Sequence, residues 1–192
     1  MGVALENMAV DLRNMARRAV FLDRDGVINA AIVRDGKPYP PRSVTETVLV
    51  EGAEASLTRL KERGFLLIVV TNQPDVRRGT VAREKVDEIH RFLAAKLPLD
   101  DFFVCYHDDE DHCSCRKPQP GLLLEAARKY QVEVGQSYLI GDRWRDIGAG
   151  HAAGCRTVFI DYGYNERGPE PLPDTRVYTL AEAVDRILEE VE

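Results

Sequence analysis

Two carboxylates, Asp23 and Asp25, stand one residue apart where the apolar run of VFLDRDGVIN (residues 20–29) gives out, and Gly26 follows them. Side chains spaced this way at a strand exit converge once the backbone turns, and glycine permits that turn. Two carboxylates held close repel unless a cation lies between them or one is protonated. A hard divalent ion such as Mg²⁺ takes oxygen ligands, and Asp23, Asp25 and Asp142 could supply them. One acid can then act as nucleophile while its neighbour, kept nearer neutral, moves protons. Taken alone, the pair is more readily read as turn-forming aspartates, since Asp and Gly are common in turns.

Further groups strengthen the chemical reading. VVTNQ ends a second apolar run with Thr71 and Asn72, a hydroxyl and an amide able to hydrogen-bond phosphoryl oxygens. RKPQPG offers Arg116, a forked donor, and Lys117, a point charge, both suited to phosphate. LIGDRWRD ends another run with Asp142, and Asp146 follows one helical turn later. A strand-end cap, a solvated basic pair and a helix-capping acid would each be unremarkable. Their recurrence in order, each at the end of a strand, points to one site.

A second constellation lies in CYHDDEDHCSCRKP. Cys105, His107, Cys113 and Cys115 form a Cys₃His set suited to tetrahedral Zn²⁺. A reduced, metal-free loop and His112 as a competing ligand are the alternatives; a Cys113–Cys115 disulfide is disfavoured by its one-residue spacer. Cys155 stands apart and reads as a buried thiol.

The elements that must position these groups alternate regularly. Apolar runs at 19–23, 65–71, 102–106, 137–141 and 155–160 read as strands, and helical spacing covers 53–63, 81–96, 120–130, 145–153 and about 180–191. Strands buried on both faces and separated by helices predict an α/β fold, a doubly wound, mainly parallel sheet. In such sheets ligands bind beyond the carboxyl ends of the strands, where strand order reverses. Two excursions, 30–50 and 105–121, interrupt the alternation, and neither is long enough for another domain. The reading is a leader over 1–17, poorly ordered, followed by a single domain over 18–192. The chain has 192 residues, 44% hydrophobic and 30% charged, with a formal charge of −6. That balance argues against a nucleic-acid binder, and no run is long enough for a membrane span. With no secretory signal at the start, a cytoplasmic monomer acting on a small molecule is expected.

DRDGVIN, TNQ, RKPxPG and GDxxxD together resemble the four ordered motifs of the haloacid dehalogenase superfamily, chiefly phosphatases, over about residues 18–165. The resemblance implies that Asp23 is the nucleophile forming an aspartyl-phosphate and that Asp25 is the acid and base. It further implies that Thr71 and Lys117 steady the phosphoryl group, and that Mg²⁺ sits on Asp23, the Asp25 backbone carbonyl and Asp142. The zinc loop before CRKP resembles the branch without a large cap domain, typified by heptose 1,7-bisphosphate 7-phosphatases and histidinol-phosphatases. TNQPDVRRG is closer to the first group, while the short His107–Cys113 interval is closer to the second. Carried over by position, substrate contacts fall on 31–34, Asn72, Gln73, Pro74, Arg116 and Arg143. A phospho-accepting receiver domain is the reading from another class; Asp25 and the Cys/His loop speak against it.

Overall fold

The computed structural model describes residues 17–191. Of the expected leader, 1–16 lie outside the described residues, and Arg17 bridges to Val132. Among the described residues, six strands form one sheet: β1 (Ala19–Leu22), β4 (Leu66–Asn72), β5 (Asp101–Cys105), β6 (Tyr138–Gly141), β7 (Arg156–Ile160) and β8 (Thr175–Val177). Their spatial order is β5-β4-β1-β6-β7-β8, and every pairing is parallel. The chain runs outward from β1 to β4 and β5, then crosses back to β6 on the other side of β1. Strand order therefore reverses at β1, and a crevice opens beyond its carboxyl end.

Among the described residues five α-helices cover the sheet: α1 (Ala53–Glu62), α2 (Arg83–Lys96), α3 (Gly121–Tyr130), α4 (Trp144–Ala153) and α5 (Leu180–Glu190). Period-two alternation sends side chains of one strand to opposite faces. Val20, Leu22, Leu67 and Val69 pack with Leu57 and Leu60 of α1, Ile89 and Leu93 of α2, and Val184 and Ile187 of α5. Phe21, Ile68 and Val70 face the other way, against Leu122, Leu123 and Ala126 of α3 and Ala149 of α4. Each such side chain contributes about 1.5–3 kcal/mol by leaving water. Helix α5 starts where Thr179 caps the Glu182 amide at 3.1 Å and Glu182 accepts from the Tyr178 amide at 2.8 Å.

The excursion over 30–50 folds into an antiparallel hairpin, β2 (Ile32–Arg34) and β3 (Lys37–Tyr39), and a 3₁₀ turn at Val44–Glu46. Asp35 and Gly36 form its two-residue loop with φ of 52° and 74°, the left-handed pair that a type I′ turn requires. Among the described residues there is no separate cap domain, only this hairpin at the cleft mouth. No helix among them is long and apolar enough to cross a membrane.

Candidate active site

The sheet's carboxyl edge gathers the predicted groups. Asp23 follows β1 directly, and its amide donates to the Ile140 carbonyl at 2.9 Å, which pins the residue to β6. The chain then closes a tight turn: the Ile28 and Asn29 amides donate to the Arg24 carbonyl at 3.0 and 3.2 Å, and Gly26 N–H to Asn29 at 2.7 Å. Gly26 has φ of 87°, and a Cβ there would lie 1.9 Å from Asp142 Oδ2. Only glycine combines that conformation with that approach.

Lys117 is 2% exposed and spends all three ammonium donors inside the protein. Nζ lies 2.9 Å from Asp23 Oδ1, 2.5 Å from Asp146 Oδ1 and 2.8 Å from the Val70 carbonyl. Burial works against its charge, but Asp146 and Asp23 outweigh burial and hold its pKa above the ordinary lysine value. Asn72 fixes the same residue through its backbone, donating to the Lys117 carbonyl at 3.0 Å and accepting from its amide at 3.1 Å.

Asp23, Asp142 and Asp146 bring one carboxylate oxygen each within 4.8 Å of one another, all three residues buried. Both Asp142 oxygens are buried without a hydrogen bond of good geometry, and the neighbouring Tyr164 hydroxyl and Arg143 relieve them only in part. A buried carboxylate so poorly compensated is costly unless a cation meets it. Burial, then the Asp23 and Asp146 charges, push the Asp142 pKa well above the usual carboxylate range. Burial likewise raises Asp23 to about 6, with Lys117 opposing and Asp146 and Asp25 adding. Three carboxylates answered by the Lys117 ammonium, with the nearby Arg143 already paired to Glu166, leave an excess of negative charge, and all-oxygen donors suit a hard cation. This set fits Mg²⁺. Asp146, to which the sequence reading gave no role, completes it; the signal was its four-residue interval from Asp142.

Asp25 turns its carboxylate aside from that cluster. It accepts from Arg24 Nε at 3.1 Å and Nη2 at 3.0 Å, from Asn29 at 3.0 Å and from Gln73 at 2.9 Å. Gln73 also donates to the Thr71 hydroxyl at 2.9 Å. Gln73 is 3% exposed, so its amide is committed to these two neighbours.

A cleft of about 390 Å³ opens above these groups. Asp23, Asp25, Thr71, Asn72, Pro74, Arg116, Lys117 and Arg143 line it with Arg78 of the TNQPDVRRG stretch, joined by Lys37, Tyr39, Arg42, Arg145 and Glu166, which the sequence did not single out. From 31–34 only Ala31 reaches the lining; the following strand supplies the rest of that wall. The rim arginines are held by acids: Arg116 and Arg145 share Asp109 at 2.8 and 2.9 Å, Arg78 grips Asp108 at 2.6 Å, and Arg143 pairs with Glu166.

Cys105, His107, Cys113 and Cys115 converge below the rim. The three sulfurs lie 3.2–3.7 Å apart, and His107 Nδ1 lies 3.6 and 3.3 Å from Cys105 and Cys115. A tetrahedral site with metal–sulfur bonds near 2.3 Å has edges of about 3.8 Å, so the set is sized for Zn²⁺. All four cysteines are free thiols, Cys155 among them and buried. His112 stands outside this group.

A family model described as HAD-hydrolase-like matches residues 114–186. A D-glycero-β-D-manno-heptose-1,7-bisphosphate 7-phosphatase of Bordetella bronchiseptica is 32% identical over 182 residues, covering 90% of this chain and 99% of the relative. One from Helicobacter pylori (strain ATCC 700392 / 26695) is 34% identical over 139 residues, covering 69% and 77%. The crystal structure of the D,D-heptose 1,7-bisphosphate phosphatase from B. bronchiseptica, complexed with magnesium and phosphate, superimposes with a TM-score of 0.76 at 29% identity, covering 90% of this chain and 99% of that one. With its parallel sheet, its acidic centre and these relatives, the chain belongs to the haloacid dehalogenase superfamily of hydrolases, in the family of the D-glycero-β-D-manno-heptose-1,7-bisphosphate 7-phosphatases.

Proposed function

We propose that this chain removes the 7-phosphate of D-glycero-β-D-manno-heptose 1,7-bisphosphate through an aspartyl-phosphate. The reading is carried by the buried, poorly compensated Asp142 carboxylate set in one cluster with Asp23 and Asp146, an arrangement that calls for a cation next to a nucleophile. Asp23, Asp142 and Asp146, with the Asp25 backbone carbonyl, would hold Mg²⁺, which when bound supplies charge neutralisation for the phosphoryl oxygens. An Asp23 oxygen attacks phosphorus in line. The bond from phosphorus to the sugar oxygen breaks, and Asp25 delivers the proton that oxygen needs. Asp25 then takes a proton from water, whose oxygen releases phosphate from Asp23. Lys117 and Thr71 fix the phosphoryl oxygens, since phosphoryl transfer depends on alignment and charge more than on further covalent steps.

Arg116 and Arg143 give the second phosphate a cationic rim. Asn72 and Gln73 act by holding Lys117 and Asp25 in place. Cys105, His107, Cys113 and Cys115 hold a structural Zn²⁺ that stiffens the loop bearing Arg116. The free thiols and metal-type cysteine spacing support a reducing compartment, with the chain acting as a cytoplasmic monomer. The deciding experiment measures phosphate release with Mg²⁺ from heptose 1,7-bisphosphate, fructose 1,6-bisphosphate and histidinol phosphate side by side. The heptose ester should lead in kcat/KM; preference for histidinol phosphate overturns the substrate, and an active Asp23→Asn variant overturns the mechanism.

A further inference from the structure

Arg24, between the two motif aspartates, is the bulkiest side chain withdrawn entirely from solvent, at 0% exposure. Nothing in the chemistry above uses it directly. Its Nε and Nη2 fork onto the two Asp25 oxygens at 3.1 and 3.0 Å. Its Nη1 meets His90 Nε2 at 3.2 Å. Guanidinium is a donor on every nitrogen and stays protonated, so His90 Nε2 must accept and the ring proton sits on Nδ1. Burial, with the Arg24 cation adding, lowers the His90 pKa to about 3, so the ring is neutral in working conditions. His90 projects from α2 among Val86, Ile89 and Leu93, and stacks on Phe102 of β5 with centroids 4.6 Å apart and planes 20° apart. The ring plane is thereby fixed by the core.

We propose that His90 is a positioning residue for proton transfer by Asp25, acting through Arg24. The inference rests on Asp25 being the acid and base. A two-bond fork makes guanidinium and carboxylate coplanar. The fork leaves the pair free to slide and tilt together, and the third contact, to an imidazole locked by the core, removes that freedom. Gln73 and Asn29 hold the far side of the same carboxylate. Without an acceptor at His90, Nη1 becomes a buried unsatisfied donor, and Arg24 shifts to recover a partner. Asp25 follows it, because both its oxygens are tied to that guanidinium.

A leaving-group comparison tests this in the full chain with its metals. An alkyl oxygen needs a proton from Asp25 as its bond to phosphorus breaks, whereas 4-nitrophenolate leaves without one. Through the first irreversible step, kcat/KM therefore senses Asp25 with a sugar phosphate and barely with 4-nitrophenyl phosphate. His90→Leu should lower kcat/KM for fructose 1,6-bisphosphate or the heptose ester about 10- to 100-fold, the scale of a misplaced catalytic group. The aryl ester should stay within about threefold of the natural chain. His90→Gln, whose Oε1 can accept from Nη1, should restore most of the loss. Equal losses on both esters, or none, would overturn the positioning role. Asp25→Asn is run alongside: if it fails to separate the two esters, the acid role itself falls, and if it separates them while His90→Leu does not, only the relay falls. Should His90→Leu not fold, nitrogen NMR of the natural chain decides: an imidazole with bare Nε2 at about pH 6 supports the relay, and a protonated Nε2 refutes it.

Discussion

Freed of metal by a chelator at about pH 7.5, Asp142→Asn is expected to melt at a higher temperature than the natural chain. The cause is the unbalanced acidic centre. Asp142 is 1% exposed, neither oxygen has a hydrogen bond of good geometry, the Tyr164 hydroxyl relieves the charge only in part, and Asp23 and Asp146 oxygens lie within 4.8 Å. At an effective dielectric of about 20, like charges at that distance repel by roughly 3.5 kcal/mol per pair, part of which Lys117 offsets. A net gain of about 2 kcal/mol is a rise of roughly 4–8 °C for a domain of this size. Its pH dependence has a definite sign. Both carboxyls have pKa values raised by folding, so the stability they contribute is complete below the ordinary carboxylate value. It is lost as pH climbs through the folded values, from 3.8 to about 6 for Asp23 and higher still for Asp142. The advantage of the variant should thus shrink towards pH 4, where both side chains are neutral. Millimolar Mg²⁺ should reverse the order, because an ion at 100 times its dissociation constant stabilises by about 2.7 kcal/mol and the variant has lost a ligand. Scanning calorimetry across pH, with chelator or Mg²⁺, checks each part. A variant less stable than the natural chain at every pH without metal would refute the reasoning.

Further outcomes are expected for four variants. Asp23→Asn should abolish turnover while leaving the far-ultraviolet circular dichroism intact, and Asp25→Asn should cost about 10²- to 10⁴-fold in kcat, both read by phosphate release. Cys113→Ser should release bound Zn²⁺, measured by metal analysis, lower the melting temperature and reduce activity with the Mg²⁺ requirement unchanged; full retention of zinc would rule out Cys113 as a ligand. Gly26→Ala puts a methyl group 1.9 Å from Asp142 Oδ2 at a φ of 87°, and should weaken Mg²⁺ binding in calorimetric titration more than it weakens the fold.

Five strands of the sheet were legible because each carries an apolar run ended by polar residues, as in FLLIVVTN. Strands β2, β3 and β8 were not, for a physical reason: each has three residues, too few for a period to register, and Pro38 sits inside β3. The Asp35-Gly36 turn was the available signal for the hairpin. The motif residues were readable as types, while their directions were not. Asn72 and Gln73 look like substrate donors in sequence, but a side chain at a buried strand end is free to turn to the nearest unsatisfied group, here Lys117 and Asp25. Arg24 and His90 were silent because their pairing spans 66 positions and each alone resembles an ordinary surface residue.

The hairpin that stands in place of a cap has an evolutionary consequence. The floor of the cleft is set by strand ends in one sheet, whereas its rim is assembled from short separate stretches around Tyr39, Arg78, Asp109 and Glu166, the last three held by ion pairs at their surface. Surface connections change length at little thermodynamic expense. Such a molecule can exchange one rim segment, and with it one preference for the alcohol half of the ester, without retuning its reaction centre. Descendants of this architecture would then diverge in what they accept long before they diverge in what they do to it.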